Sequence, residues 1–179
     1  MLVGFSGKKR SGKDTAADFL VQAHKFTKIG FKDPVYDVLY ALNPLIIATN
    51  SMTKRVQDVV NWHGWEKAKD MYPEIRKLQQ RLGMEGFRAI DENLLVQILA
   101  KKGGPLTRVV VPDVRFPNEA EFIQDSGGIL IRIERNGVDL NDVYPTEISM
   151  DDWKSFDHII HNNGTTEQLY EMVRQVVFG

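Results

Sequence analysis

Residues 4–20 read "GFSGKKRSGKDTAADFL", a glycine-rich turn between a short apolar run and a segment of helical spacing. Gly7, Gly12 and Lys13 fit the G-x-x-x-x-G-K pattern of a phosphate-binding loop. In such a loop, glycines let successive backbone N–H groups turn onto an anion, and the helix that follows offers its positive end. Upstream, "LVGF" reads as a buried parallel strand. Downstream, Ala16, Phe19, Leu20 and Ala23 recur at helical spacing. Strand, loop and helix in this order predict an α/β fold with a ligand site at the first turn.

One letter departs from the pattern: Asp14 stands where a magnesium-binding Ser or Thr is expected, and Thr15 follows one place late. A carboxylate beside a triphosphate repels it unless a cation intervenes. Two readings follow. Asp14 holds Mg²⁺ directly or through water, or it turns away while Thr15 supplies the hydroxyl. Lys8, Lys9 and Arg10 make the loop unusually basic, suited to screening the acid and clamping phosphate oxygens. A solvated charged loop is the plainer account of the same three residues.

Further along, "FTKIGF" reads as a second strand and "DPVYDVLYALN" as a helix capped by Asp33 with Pro34 in its first turn. From Thr53 to about Lys102 the pattern is mostly helical, interrupted near Gly64, Pro73, Gly83 and Gly86. "RVVVPDVRF" is the strongest strand signal. It sets Asp113 beyond a carboxyl end, where ligands bind in open parallel sheets and where an acid can hold magnesium or orient a nucleophile. The bland role for Asp113 is capping the next helix, "PNEAEFIQDSGG", a task Asn118 would serve better. "ILIRIER" is another strand, and "HIIHNNGTTEQLYEMVRQVVF" reads as strand, Asn-Asn-Gly turn and amphipathic helix. Strands alternating with helices predict a parallel sheet covered on both faces.

The chain has 179 residues, the size of one domain. Its 23 basic and 24 acidic residues give a net charge of -1, so no overall field draws it to nucleic acid or to an anionic membrane. There is no cysteine, which excludes a disulfide framework. The start, "MLVGFSGKKR", suits neither a signal peptide nor an anchor, and a cytoplasmic location is expected. His158 and His161 lie three apart on a predicted strand and so face opposite ways, a poor start for a shared metal. Trp62, His63 and Trp65 read as a packing cluster rather than a nucleic-acid platform.

"GFSGKKRSGKDTAA", "LQQRLGMEGFR", "VVVPDVRFPNEAEFI" and "FDHIIHNNGTTEQLYEMV" together resemble the deoxynucleoside monophosphate kinases of tailed bacteriophages, over nearly the whole chain. The loop with Asp after its lysine also resembles that of animal phosphomevalonate kinase, and the Asn-Asn-Gly unit is similar to the end of dephospho-coenzyme A kinase. The resemblance implies a P-loop kinase fold: a parallel five-stranded sheet flanked by helices, in a single domain over 1–179. Within it, 43–102 would be a helical acceptor-binding insertion and 136–157 a lid-like segment. It implies transfer of the γ-phosphoryl of ATP to a deoxynucleoside monophosphate, with Mg²⁺, in the host cytoplasm if phage-encoded, and it is compatible with a homodimer. A kinase of another small phosphorylated acceptor, or an ATP-binding sensor without catalysis, are the competing readings.

Residue by residue, the resemblance assigns Gly7, Lys8, Lys9, Ser11, Gly12, Lys13, Asp14 and Thr15 to the ATP phosphates, with Asn162, Asn163 and Gly164 on the adenine side. Lys13, Arg10, Asp113 and Arg115 would be catalytic, and Asp14, Thr15 and Asp113 would serve the metal. Arg81, Glu85, Arg88, Arg132 and Trp153 would meet the acceptor, Trp153 by stacking on a base. Arg132 and Arg135 sit on alternating strand positions and are weaker in that role. Gly83-Met84-Glu85 and "YPTEIS" depart from the family's usual Gly-Thr-Glu and His-Pro-Ser-Glu, leaving base preference unread.

Overall fold

Gly4, in the middle of the first strand, shows how the sheet is sandwiched. A β-carbon there would sit 3.0 Å from the Ile123 side chain and 3.1 Å from that of Val114, so the missing side chain lets a helix approach closely. Its neighbours Val3 and Phe5 point the other way, into a second layer of helices. Both faces of strand β1 (Leu2–Ser6) are therefore covered, and all five of its residues are buried. The computed structural model describes residues 1–49, 52–102, 107–137 and 148–179. It divides into two compact units, one of residues 1–31 and 99–179, the other of residues 32–98.

The first unit carries a sheet of five strands in the order β2-β5-β1-β6-β7. These are β1, β2 (Thr27–Lys28), β5 (Val109–Val111), β6 (Ile129–Glu134) and β7 (His158–His161). Every pairing is parallel, with Val3 opposite both Val110 and Ile129, and Ile131 opposite His158. Helices α1 (Lys13–His24) and α7 (Thr166–Phe178) cover one face. Ala16, Ala17, Leu20, Leu169, Val173 and Val177 pack there on Val3, Phe5, Val110, Ile131, Ile133 and Ile160. Helix α6 (Pro117–Asp125) covers the other face through Ile123, and its Phe122 meets Phe31 edge-on. The doubly covered parallel sheet agrees with the expected fold class.

Local chemistry sets the helix ends. Thr165 and Gln168 cap α7 reciprocally, the Thr165 hydroxyl accepting from Gln168 N and the Gln168 side chain accepting from Thr165 N. Helix α6 stops where Gly127, at φ 69°, takes the left-handed turn that glycine tolerates best. Its start does not follow the bland reading of Asp113. Neither Asp113 nor Asn118 caps it; the cap position is Phe116, and the buried Glu119 reaches back to accept from the Arg115 and Phe116 amides. The Glu119 carboxylate, at the third helical position, satisfies the amide of the cap residue Phe116 and that of Arg115 before it, the reach-back half of a capping box.

In the second unit, α2 (Asp33–Leu42) begins one residue earlier than expected: Asp33, read as the cap, is the first helical residue, and Lys32 is the cap. A hairpin follows, β3 (Leu45–Thr49) with β4 (Met52–Arg55), Ile46 opposite Lys54. Within the stretch 53–102, read as mostly helical, Thr53, Lys54 and Arg55 are strand instead. The hairpin is fixed by its surroundings: Ile46 is fully buried, Ile47 N donates to Glu74, and Arg55 donates to the Asn43 carbonyl. Helices α3 (Val56–Met71) and α4 (Pro73–Arg81) complete a core of Leu39, Ile46, Val56, Val59, Ala68, Tyr72 and Ile75. α3 kinks at Gly64, φ 74°, as the glycine suggests. Of the aromatic cluster, Trp65 stacks on Tyr36 at 4.7 Å, whereas Trp62 is 85% exposed and unpacked.

Chain from Leu82 to Arg88 is a π-helix, where two breaks were expected at Gly83 and Gly86. α5 (Leu94–Lys102) follows, the division between the units falling within it. Among the described residues no helix is long and apolar enough to cross a membrane. Of the segment 136–157, read as lid-like, residues 138–147 lie outside the described residues.

Candidate nucleotide-phosphate site

The loop between β1 and α1 is shaped by three left-handed residues. Gly7 has φ 141°, Arg10 64° and Gly12 109°. Gly7 and Gly12 must be glycine for a second reason. A β-carbon on Gly7 would run into the Ile133 carbonyl oxygen, and one on Gly12 into the side-chain amide of Asn162. Arg10 pays no such steric cost but holds a conformation that L side chains rarely adopt. Alternating backbone hand over consecutive residues is how peptide N–H groups come to line an anion-binding concavity.

Lys13, the first residue of α1, is buried, and its Nζ donates to the Lys8 carbonyl at 2.7 Å. Lys8 O also accepts from Ser11 N at 3.2 Å. The lysine thus folds back over its own loop, so a cation is held at the helix's positive end. Ser11 is fully buried with a hydroxyl that has no hydrogen-bond partner among the described residues. A buried polar atom left unmatched costs stability. An oxyanion in the loop is a partner that would satisfy it.

The loop opens on a cavity of about 340 Å³ lined by Lys8, Ser11, Arg132, Glu134, Arg135 and Asn163, among others. That volume lies within the range of small-molecule sites. On another side Ser6, Gly7, Lys8, Val114, Arg115, Arg132, Met150 and Asp151 enclose a much smaller cleft. Lys9 and Arg10 are exposed at the loop's tip. An orphaned buried hydroxyl, a glycine cradle and a buried lysine fit the phosphates of a nucleotide.

Asp14 answers part of the sequence puzzle. Its carboxylate is exposed and lies 3.2 Å from Lys28 Nζ, which also holds Asp18 at 2.9 Å. Burial alone would lower the Lys28 pKa, but its hydrogen bond to Asp18 and the charges of Asp14 and Asp18 outweigh this and raise it. Thr15, one place on, is half-buried. Asp113 is buried beyond β5, its Oδ1 accepting from Phe31 N at 3.1 Å. Mg²⁺ is usually held by one or two protein oxygens with phosphates and water completing its shell; Thr15, Asp113 and Asp14 are oxygen donors of that kind. Among the described residues no three His, Cys, Asp or Glu cluster as a metal site.

Arg132 proves to be far from a solvent-facing strand residue. Its guanidinium donates to Glu134 at 3.0 Å and to the Met150 carbonyl at 3.0 Å, approaches Asp151 at 3.8 Å, and lies over the Phe156 ring. It anchors residues 150–156 against the sheet. Trp153 in that stretch is half-buried, its indole N–H without an acceptor among the described residues. After β7, Asn162 is 5% exposed and donates to the Ser11 carbonyl at 2.8 Å, while Asn163 accepts from Asn136 N at 2.8 Å. Gly164 leaves room for Gln168, whose side-chain oxygen a β-carbon would strike.

Asp151, which sequence reasoning passed over, contacts two of the expected site residues, Lys8 and Arg132. With Lys8 and Asp151 separated by 143 positions in sequence, no local pattern could have paired them. In the second unit, Arg81 donates to Glu85 at 3.2 Å, and Arg88 approaches the Glu92 carbonyl at 3.4 Å. Arg81, Glu85 and Arg88 lie on or beside the π-helix, a form often found at functional sites.

The family described as deoxynucleotide monophosphate kinase matches residues 47–173. A protein of Acanthamoeba polyphaga mimivirus described as "Putative deoxynucleotide monophosphate kinase" is 30% identical over 97% of this chain and 94% of its own. The shikimate kinase of Aquifex aeolicus superposes with a TM-score of 0.51 at 12% identity, over 98% of this chain and 94% of its own. The last likeness is one of fold.

Proposed function

The chain belongs to the deoxynucleotide monophosphate kinase family, an ATP-dependent phosphotransferase class, and from that premise we propose that it transfers the γ-phosphoryl of ATP to a deoxynucleoside 5′-monophosphate. The observation that carries the reading is Lys13: a buried ammonium folded over a loop of left-handed glycines, at the positive end of α1. Backbone amides and this cation would hold the β- and γ-phosphates of the donor.

In the reaction, the bond between the γ-phosphorus and the β-bridging oxygen breaks as a bond from the acceptor's phosphate oxygen to the γ-phosphorus forms. ADP and a deoxynucleoside diphosphate result. A phosphate monoester has its second pKa near 6, so the attacking oxygen is already an anion at neutral pH. No base is then needed to take a proton from it, which leaves Asp113 to orient the reactants and hold the metal. Bound Mg²⁺ would neutralise charge on the transferring phosphates, with Thr15, Asp113 and Asp14 as its protein donors.

Arg10 and Arg115 would offset charge that develops on the phosphoryl group. Lys8, Lys9 and Ser11 would complete the donor site, with Asn163 and Gly164 on its adenine side. Arg81 and Arg88 suit the acceptor phosphate because a guanidinium gives two parallel donors, and Glu85 would set the orientation of Arg81. Trp153 is the candidate for base stacking.

The test is ADP release, followed by enzyme coupling, across deoxynucleoside monophosphates, ribonucleoside monophosphates, phosphomevalonate and dephospho-coenzyme A. Stimulation by one or more deoxynucleoside monophosphates is expected. Turnover with only a non-nucleotide acceptor would overturn the proposal.

A further inference from the structure

The first asparagine of the Asn162-Asn163 pair differs from its neighbour. Asn163 lines the 340 Å³ cavity. Asn162 is almost fully buried, and both ends of it are engaged: its backbone N–H donates to the Glu134 carbonyl at 2.7 Å, continuing the β6–β7 ladder, and its side-chain amide donates to the Ser11 carbonyl at 2.8 Å. A side chain spent in this way is badly placed to recognise a base.

Its partner carbonyl is the informative part. The peptide joining Ser11 to Gly12 is trans, as are all those described, so its C=O and N–H point in opposite directions. Fixing the Ser11 carbonyl on Asn162 therefore turns the Gly12 N–H away from Asn162. The same amide nitrogen also backs directly onto Gly12, where a β-carbon would collide with it. Peptide planes in a loop rotate easily, and Gly12 at φ 109° has no side chain to restrain it. Asn162 supplies that restraint from just beyond the last strand, about 150 residues away in sequence.

We propose that Asn162 is a positioning residue for nucleotide binding: it sets the plane of the Ser11–Gly12 peptide so that Gly12 N–H is aimed at a phosphate oxygen before the nucleotide arrives. This rests on the assignment of the loop to ATP phosphates. Preorganisation of this kind spares the ligand the cost of ordering the loop.

The experiment follows the Gly12 amide by ¹H–¹⁵N NMR while ATP and Mg²⁺ are added, with affinity measured in parallel by calorimetry. In the wild-type protein the Gly12 proton should move downfield as it donates to phosphate. Asn162→Ala removes the brace with little added bulk, and Asn162→Asp replaces the donor with an oxygen facing a carbonyl oxygen. Both should bind ATP about tenfold more weakly, the loss expected for a buried hydrogen bond that orders a loop, with a smaller Gly12 displacement. The Asp variant should be the worse of the two. If either variant remains folded and keeps both the wild-type Gly12 displacement and the wild-type ATP affinity, Asn162 is only a packing residue and the proposal fails. If the wild-type protein itself binds no ATP, the phosphate-loop assignment falls and takes this proposal with it.

Discussion

Lys8 Nζ donates to Asp151 Oδ2 at 2.7 Å and lies as close, 2.7 Å, to the Oδ1 of the same carboxylate. The lysine is the second residue of the phosphate loop, and the acid belongs to the stretch anchored by Arg132. One ammonium cannot serve a carboxylate and a phosphate equally, so phosphate binding by Lys8 must weaken this pair. Lys8 is 12% exposed but Asp151 is 44% exposed, and pairs of that kind are worth less than about 1 kcal/mol. Asp151→Ala should therefore lower the KM for ATP by about threefold. A higher KM at unchanged melting temperature would show that Asp151 instead holds Lys8 in its working position.

Removing the Lys13 ammonium should be far more severe. It is buried, preorganised by the Lys8 carbonyl and set at a helix N-terminus. Loss of one such group typically costs about 3 kcal/mol at the transition state, or roughly 100-fold in kcat. Steady-state kinetics of Lys13→Ala will show it. Turnover near the wild-type rate would remove Lys13 from the mechanism.

Asp113→Asn separates chemistry from folding. The substituted side chain keeps an oxygen able to accept from Phe31 N, so the melting temperature should change little. The negative charge is lost, and with it a donor suited to Mg²⁺. A magnesium titration of activity should shift to higher concentration, with kcat reduced at least tenfold. An unchanged titration would assign the metal to Thr15 or Asp14.

Lys28 gives a stability prediction whose sign can be stated. Its pKa is raised in the folded protein because the attraction of Asp18 and Asp14 exceeds the effect of burial. A base that holds its proton more tightly when folded stabilises the fold at every pH below its unfolded value, about 10.4. That contribution disappears as pH climbs through the higher folded value. The melting temperature of the wild type should exceed that of Lys28→Met at pH 8, and the gap should close in strongly alkaline buffer. A gap that widens there would contradict the pairing.

The same variant bears on the acid that departs from the loop pattern. In Lys28→Met the Asp14 carboxylate no longer shares its charge with that ammonium, and a metal role for it should become more visible. Lys28→Met is expected to alter the magnesium titration if Asp14 takes part, and Asp14→Ala to do so more strongly. If neither variant moves the titration, Thr15 is the hydroxyl the motif requires.

Much of this was legible because the signals were local. "GKKRSGK" specifies its own backbone, Val109–Val111 is an uninterrupted buried run, and Thr165 with Gln168 announces a helix start four residues after a strand. The β3–β4 hairpin was not, because "LIIAT" and "MTKR" give no alternation to follow: Ile46 is buried while Leu45 and Ile47 beside it are exposed, and β4 is exposed throughout. The π-helix over Leu82–Arg88 has no periodic signature, and its glycines suggested breaks. In the site, the missing information was long-range. The partners of Lys8, Asp14, Asp113 and Ser11 are Asp151, Lys28, Phe31 and Asn162, pairings set by which strands lie side by side rather than by any motif.

The central claim is that the loop presents ATP for transfer of its terminal phosphoryl group to a nucleotide. Single-turnover reaction of excess enzyme with γ-labelled ATP, Mg²⁺ and each of the four deoxynucleoside monophosphates tests it most directly. The account predicts label in a deoxynucleoside diphosphate for at least one of the four, with matching ADP. Bound ATP that yields no labelled nucleotide with any of them would contradict it.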